Sequence, residues 1–251
     1  MRRLFVALAA PALLGSAEPR LVPDLSQSRI DIVYSFTGVE LLAFGAILYP
    51  GGREPARTPD VAVVVTGPPE ALLVREKAKV GGIWINHASQ RFGAVPSFYA
   101  VATSRPIETL VDARTATAYG LGVGNLRLSP TAGADRRAID RFRQGLVELR
   151  RASGLFAEHV GEVSIRDGVL YRARLPIPAR VPVGRYTVRT YLIQNGRVIA
   201  AATRLIYVGK SGFERFVTNA AQREPLLYGL AAVALSLALG WIAAMLFRRR
   251  R

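Results

Sequence analysis

The stretch Pro225–Phe247, PLLYGLAAVALSLALGWIAAMLF, contains no charged residue and is followed at once by Arg248–Arg251. At about 1.5 Å of rise per residue, a helix of this length spans roughly 34 Å, enough to cross a bilayer core of roughly 30 Å. The positive-inside rule places the arginine flank in the cytoplasm and everything before Pro225 outside it. Tyr228 and Trp241 fall toward the two ends, where interfacial aromatic residues sit. Ala232, Ser236, Gly240 and Ala244 recur every four residues, and such strips of small side chains let helix backbones approach closely in lipid. They are the expected helix-packing face.

The opening residues, MRRLFVALAAPALLGSA, have the three parts of an export signal. Arg2 and Arg3 precede an apolar stretch, Leu4–Leu14, and Gly15-Ser16-Ala17 supplies small residues for cleavage, so residues 1–17 read as a signal peptide. Without the six arginines of signal and tail, the exported region carries 28 − 18 = +10. Its basic residues are scattered, which fits a solvated surface, and export argues against a nucleic-acid partner. The absence of cysteine excludes disulfides, thiolate metal sites and cysteine nucleophiles. Stability must therefore come from packing.

From Ile30 the pattern is that of strands. Ile30, Ile32, Tyr34 and Phe36 alternate with Asp31, Val33 and Ser35, and Leu41–Tyr49 forms a second run stopped by Pro50-Gly51-Gly52. Val61–Thr66 is almost all β-branched, which predicts a strand buried on both faces. Leu72–Lys77, Ile83–Asn86 and Phe98–Thr103 complete about six short strands. Pro106 then opens a helix running to about Tyr119, with a Gly-rich break at Gly120–Asn125. Ala134–Phe156 places Ile139, Phe142, Leu146, Leu149 and Phe156 on one helical face, and Gly154 should end that helix. After Gly161 strands return, with Asp167-Gly168 and Asn195-Gly196 as hairpin turns. A two-residue turn at Asn195-Gly196 sets Leu192 opposite Ile199, Thr190 opposite Ala201, Val188 opposite Thr203 and Tyr186 opposite Leu205. These readings describe an immunoglobulin-like β-sandwich with one or two inserted helices and a single C-terminal transmembrane helix. The divisions are 18–105 (N-terminal β region), 106–159 (helical), 160–208 (C-terminal β region, which either forms its own sheet or completes the same sandwich), 209–224 (connector, helical if continuous with the span), 225–247 (span) and 248–251 (tail).

Four stretches carry a family resemblance: DIVYSFTGVELLAFGAI (31–47), PSFYAVATSRPI (96–107), LYRARLPIPARVPVGRYTVRTYLI (170–193) and PLLYGLAAVALSLALGWIAAMLFRR (225–249). On them the chain resembles an alphaproteobacterial family of transmembrane proteins of about this length with one C-terminal anchor. The resemblance implies a single-pass protein of the bacterial inner membrane, its N-terminal domain periplasmic and its C-terminus cytoplasmic. It also implies a genetic neighbour, a permease of the sulfite/organosulfonate exporter type, and it brings no catalytic motif.

The residues themselves supply no catalytic, cofactor-binding or metal site. Gly120–Asn125 lacks the Lys-Ser/Thr of a phosphate loop and the spacing of a dinucleotide fingerprint. His87 and His159 lie far apart in sequence with no metal-ligand spacing. A catalytic pairing of His87 with Ser89 or Ser97 lacks both a nucleophile elbow and an orienting acid. The richest exported stretch is Trp84–Arg105, where Trp84, Asn86, Arg91, Phe98, Tyr99 and Arg105 form the expected partner-binding edge, since aromatic residues and arginine anchor interfaces. The expectation is a non-enzymatic accessory or binding subunit, without cofactor, whose partners are the bilayer and either a multi-span permease or a second copy. The rival is a membrane-tethered periplasmic enzyme with a hydrolase-like pocket joining His87, Ser97 and a carboxylate.

Overall fold

Tyr171, Ala173, Leu175 and Ile177 alternate with Arg172, Arg174 and Pro176, and the strand they form, β10 (Leu170–Pro178), buries all four of the first set. Period-two alternation gives one face to the core and one to water. The computed structural model describes residues 19–32, 37–52, 55, 57–131, 135–210, 217 and 220–248. The expected signal peptide, Val33–Phe36 of the first expected strand, half of the connector and residues 249–251 of the expected tail lie outside them.

β10 is central in a four-stranded antiparallel sheet ordered β1 (Arg20–Leu25), β3 (Gly38–Leu48), β10 and β9 (Val163–Arg166). At Gly45 of β3 an added Cβ would lie 2.3 Å from the Val22 carbonyl oxygen, so this close approach of β1 and β3 requires glycine. A second sheet has six strands: β2 (Arg29–Ile32), β12 (Arg197–Lys210), β11 (Gly184–Gln194), β4 (Asp60–Thr66), β7 (Tyr99–Thr103) and β8 (Phe156–Val160). The C-terminal strands thus divide between the two sheets, β9–β10 joining β3 and β11–β12 joining β4.

Two contacts show the layering. The Tyr171 hydroxyl lies 3.5 Å from that of Thr190, whereas the ring of the next residue, Tyr191, packs edge-on against Tyr119 of a helix at 5.3 Å. Neighbours on a strand point to opposite faces. The six-stranded sheet is therefore the middle layer, between the four-stranded sheet and the helical segment. This explains why Val61–Val65 of β4 are at most 3% exposed without any polar alternation; each valine so buried contributes about 1.5–3 kcal/mol. The fold is mainly β. The immunoglobulin-like label goes too far, because β2 pairs with β12 and β7 with β8 in parallel, and β7–β8 is closed by a helical crossover.

The crossover corrects two helix readings. The single helix expected from Pro106 to Tyr119 is two, α1 (Ile107–Leu110) and α2 (Ala113–Tyr119). Val111 is buried in an extended conformation, and the Asp112 carboxylate accepts from the Thr115 amide at 2.7 Å, restarting the helix with a cap. α3 (Arg136–Ala152) buries Phe142 and Leu146, but Leu149 is 64% exposed and Phe156 belongs to β8. Gly154, at φ +72°, follows the helix end as expected.

Both predicted tight turns form, with left-handed Asp167, Gly168, Asn195 and Gly196. The pairing beyond Asn195-Gly196 differs by one residue from expectation. Ile193 faces Val198, but Leu192 faces Ala200, leaving Ile199 in a bulge. Hence Thr190 faces Ala202, Val188 faces Arg204 and Tyr186 faces Ile206. The bulge turns Ile206 and Val208 into the core and leaves Leu205 and Tyr207 exposed. The C-terminal helix, α4 (Pro225–Arg248), is exposed along its described side chains, and its Pro225–Met245 portion has a mean hydropathy of 2.0.

Candidate interaction surfaces

The chain leaves the six-stranded sheet at Thr66 and returns at Tyr99. Between them β5 (Pro69–Val80) and β6 (Ile83–Pro96) form a two-stranded sheet that pairs with neither of the others. The strands read as two short pieces in sequence are one long arm; at about 3.3 Å per residue β5 alone extends roughly 40 Å. Thr66 pairs with Thr187 near the start of β11, whose Gly184 pairs with Val208 near the end of β12. The arm therefore departs from the same end of the sheet at which β12 leads on toward α4.

The basal half of the arm is supported. Arg150 of α3 is ion-paired with Glu70, and Arg141 lies 3.2 Å from Glu76, so α3 runs along β5 from its middle to its root. The segment before α3 also pairs with β6, the Thr131 amide donating to the Arg91 carbonyl at 3.0 Å. Phe92 and Val95 are fully buried there. A groove of about 380 Å³ remains between β5 and α3, with Val74, Phe142 and the exposed Leu149 on its walls. The distal half, from Lys77 to Asn86, is bare. Val80 is 53% exposed, Ile83 69%, Trp84 66% and Ile85 44%.

Register sets the faces of the arm. Leu72 faces Phe92, Val74 faces Gln90 and Glu76 faces Ala88; beyond the extra residue His87, Ala78 faces Ile85 and Val80 faces Ile83. The bulge at His87 keeps Ile83 and Ile85 on the face of Ala88 and Phe92. One face is consequently apolar except for Glu76 and Gln90, covered by α3 below and uncovered above. Lys77 opposite Asn86 and Lys79 opposite Trp84 occupy the other face.

The six expected edge residues do not form one edge. Trp84, Asn86 and Arg91 are exposed on β6, whereas Phe98 and Tyr99 are core residues at 0% and 1% exposure. Roughly 46 Å of extended chain separates Trp84 from Phe98. Arg105 lies beyond the far end of β7 and is ion-paired with Asp60. Burial opposes the Asp60 charge, but Arg105 and the Ser104 hydroxyl, 2.8 Å away, hold its carboxyl below the ordinary value of 3.8. What sequence reading missed is the arm itself, whose signal was Gly81-Gly82 between two runs of compatible alternation.

The Gly120–Asn125 loop spends its amides internally. The Tyr99 hydroxyl accepts from the Gly122 amide, the Glu158 carboxylate accepts from the Val123 amide, and the Ala116 and Gly122 carbonyls accept from Leu121 and Asn125. It is a structural turn. His87 lies in the middle of the arm and Ser97 is buried at its root, roughly 33 Å of strand apart, so no pocket joins them. On α4, Ala232, Ser236, Gly240 and Ala244 are all exposed, and the Ser236 hydroxyl donates to the Ala232 carbonyl at 2.8 Å, leaving the strip without an outward polar group.

A family model described as "Putative transmembrane protein (Alph_Pro_TM)" matches residues 20–249. No curated protein matches the sequence. Among solved structures, Spo0M, a sporulation control protein from Bacillus subtilis, aligns over 82% of this chain and 56% of its own at 11% identity and a TM-score of 0.28. The chain thus spans little over half of that protein, and a likeness of this degree carries no argument about fold or role.

Proposed function

The chain belongs to the Alph_Pro_TM family of transmembrane proteins, and from that premise we propose that it is a non-enzymatic accessory or binding subunit of a membrane complex. In this reading α4 crosses the bacterial inner membrane once, Arg248–Arg251 lie in the cytoplasm, and the sandwich stands on the periplasmic side behind a cleaved signal. The arginine flank supports that orientation. The observation that carries the reading is the arm: a long hairpin with an uncovered apolar end leaves the sandwich at the end that leads to the span. Contiguous exposed apolar surface marks interaction sites.

The docking element within the bilayer is the strip Ala232, Ser236, Gly240 and Ala244. Its proposed occupant is a multi-span protein, with a permease of the sulfite/organosulfonate exporter type as first candidate and a second copy of the chain as the alternative. Co-purification of tagged protein from native membranes in mild detergent tests this. A multi-span protein should accompany the wild type and be lost when Ser236 and Gly240 are both replaced by leucine. A strictly monomeric protein, unaffected by the pair, overturns the reading.

A further inference from the structure

We infer that the end of the arm, Val80–Ile85, inserts into the headgroup boundary of the membrane that α4 crosses. The inference rests on α4 spanning a bilayer and not on the accessory role.

Four features converge on lipid as the occupant. The tip is a hairpin end, and its exposed side chains, Val80, Ile83, Trp84 and Ile85, are of the types that settle at a membrane interface. Lys77 and Lys79 flank it, and no acidic residue occurs from Lys77 to Arg91. The nearest acid, Glu76, is ion-paired with Arg141. A basic collar around an apolar tip complements anionic headgroups while its aliphatic stems lie along the boundary. The apolar face changes from covered to bare where α3 stops supporting it, so the uncovered part is confined to the end farthest from the sandwich.

Topology supplies the fourth feature. Arm and β12 leave the same end of the six-stranded sheet, so the arm starts where the chain turns toward the membrane. The arm extends roughly 40 Å. Ala220–Arg223 are helical, so residues 211–224, between β12 and α4, reach at most roughly 39–42 Å. A sandwich tethered by them can stand off the bilayer by the length of its arm.

Trp84 and Trp241 are the only tryptophans. The full chain carrying Trp241→Phe, in nanodiscs of phosphatidylcholine and phosphatidylglycerol, reports on Trp84 alone. The expected result is blue-shifted emission, strong quenching by lipids brominated high on the acyl chain, and protection from aqueous iodide. Ile83→Asp should return the emission to that of solvent-exposed tryptophan with the thermal midpoint unchanged, because the tip contributes nothing to the core. Solvent-like emission quenched by iodide overturns the inference. Blue-shifted emission that bromolipids do not quench also overturns it, and identifies a protein surface or a second copy as the occupant. Loss of the co-purifying partner leaves this result unchanged, so the two readings fail separately.

Discussion

The Tyr99 hydroxyl donates to the Gly120 carbonyl at 2.7 Å and accepts from the Gly122 amide at 2.8 Å, closing both ends of a glycine turn from a fully buried strand. The turn directs the chain from α2 back toward the base of the arm. Tyr99→Phe leaves a buried carbonyl and amide without this partner, and about 1–3 kcal/mol of stability should be lost. Chemical denaturation of the full chain measures it; a change within error would mean that water replaces the hydroxyl.

The same burial sets the behaviour in alkali. Desolvation raises the phenols of Tyr99, Tyr171, Tyr186 and Tyr191, that of Tyr186 to about 12. A raised folded-state value means that stability is fully present below the ordinary value near 10 and is lost as pH rises through the folded value, because the unfolded chain releases those protons first. The thermal midpoint should hold to pH 10 and fall between pH 10 and 12. A flat profile over that interval would contradict the burial of these hydroxyls.

Acid acts in the opposite direction through Asp60. Its carboxyl titrates below 3.8 when folded, so its contribution is present above that value and disappears as pH falls through the folded value. Solvent screens the pair with Arg105, so the step is small. Asp60→Asn should lower the midpoint slightly at neutral pH, and the difference from wild type should shrink as pH falls below 3.8. Equal midpoints at every pH would remove the pair as a contributor.

Deleting Ile199 tests the bulge. Without it Val198 is followed directly by Ala200, the hairpin closes with no extra residue, and Ile206 and Val208 keep their inward places opposite Tyr186 and Gly184. The loss is confined to the bulge and the half-buried Ile199 side chain, so the variant should fold, with a thermal midpoint only a little below the wild type. A variant that fails to fold would show that the bulge itself, and not only the register it sets, is required.

These contrasts mark what is legible in the sequence. Asp167-Gly168 and Asn195-Gly196 are readable because a tight turn demands left-handed backbone at adjacent positions, a local requirement met by those residue types. The run Val61–Val65 is readable because a middle-layer strand admits no polar side chain. The Ile199 bulge is not readable, since the uninterrupted register also offers an apolar face and the choice is made by packing against the other sheet. Val111 interrupts a helix for the same reason: its burial in the core prevails over local propensity. At the interaction surface Phe98 and Tyr99 resemble Trp84 in composition, and only their depth in the fold distinguishes core from tip. Leu149 shows the converse error, since a helical stripe does not reveal how much of it a narrow hairpin covers.

The central claim is that α4 docks on a membrane partner. A photo-crosslinking amino acid at Ala244, irradiated in native membranes, tests it most directly. The account predicts a discrete adduct with one multi-span protein, lost when Ser236 and Gly240 become leucine. An adduct only with a second copy of the chain would select the alternative occupant, and adducts with lipid alone would contradict the claim.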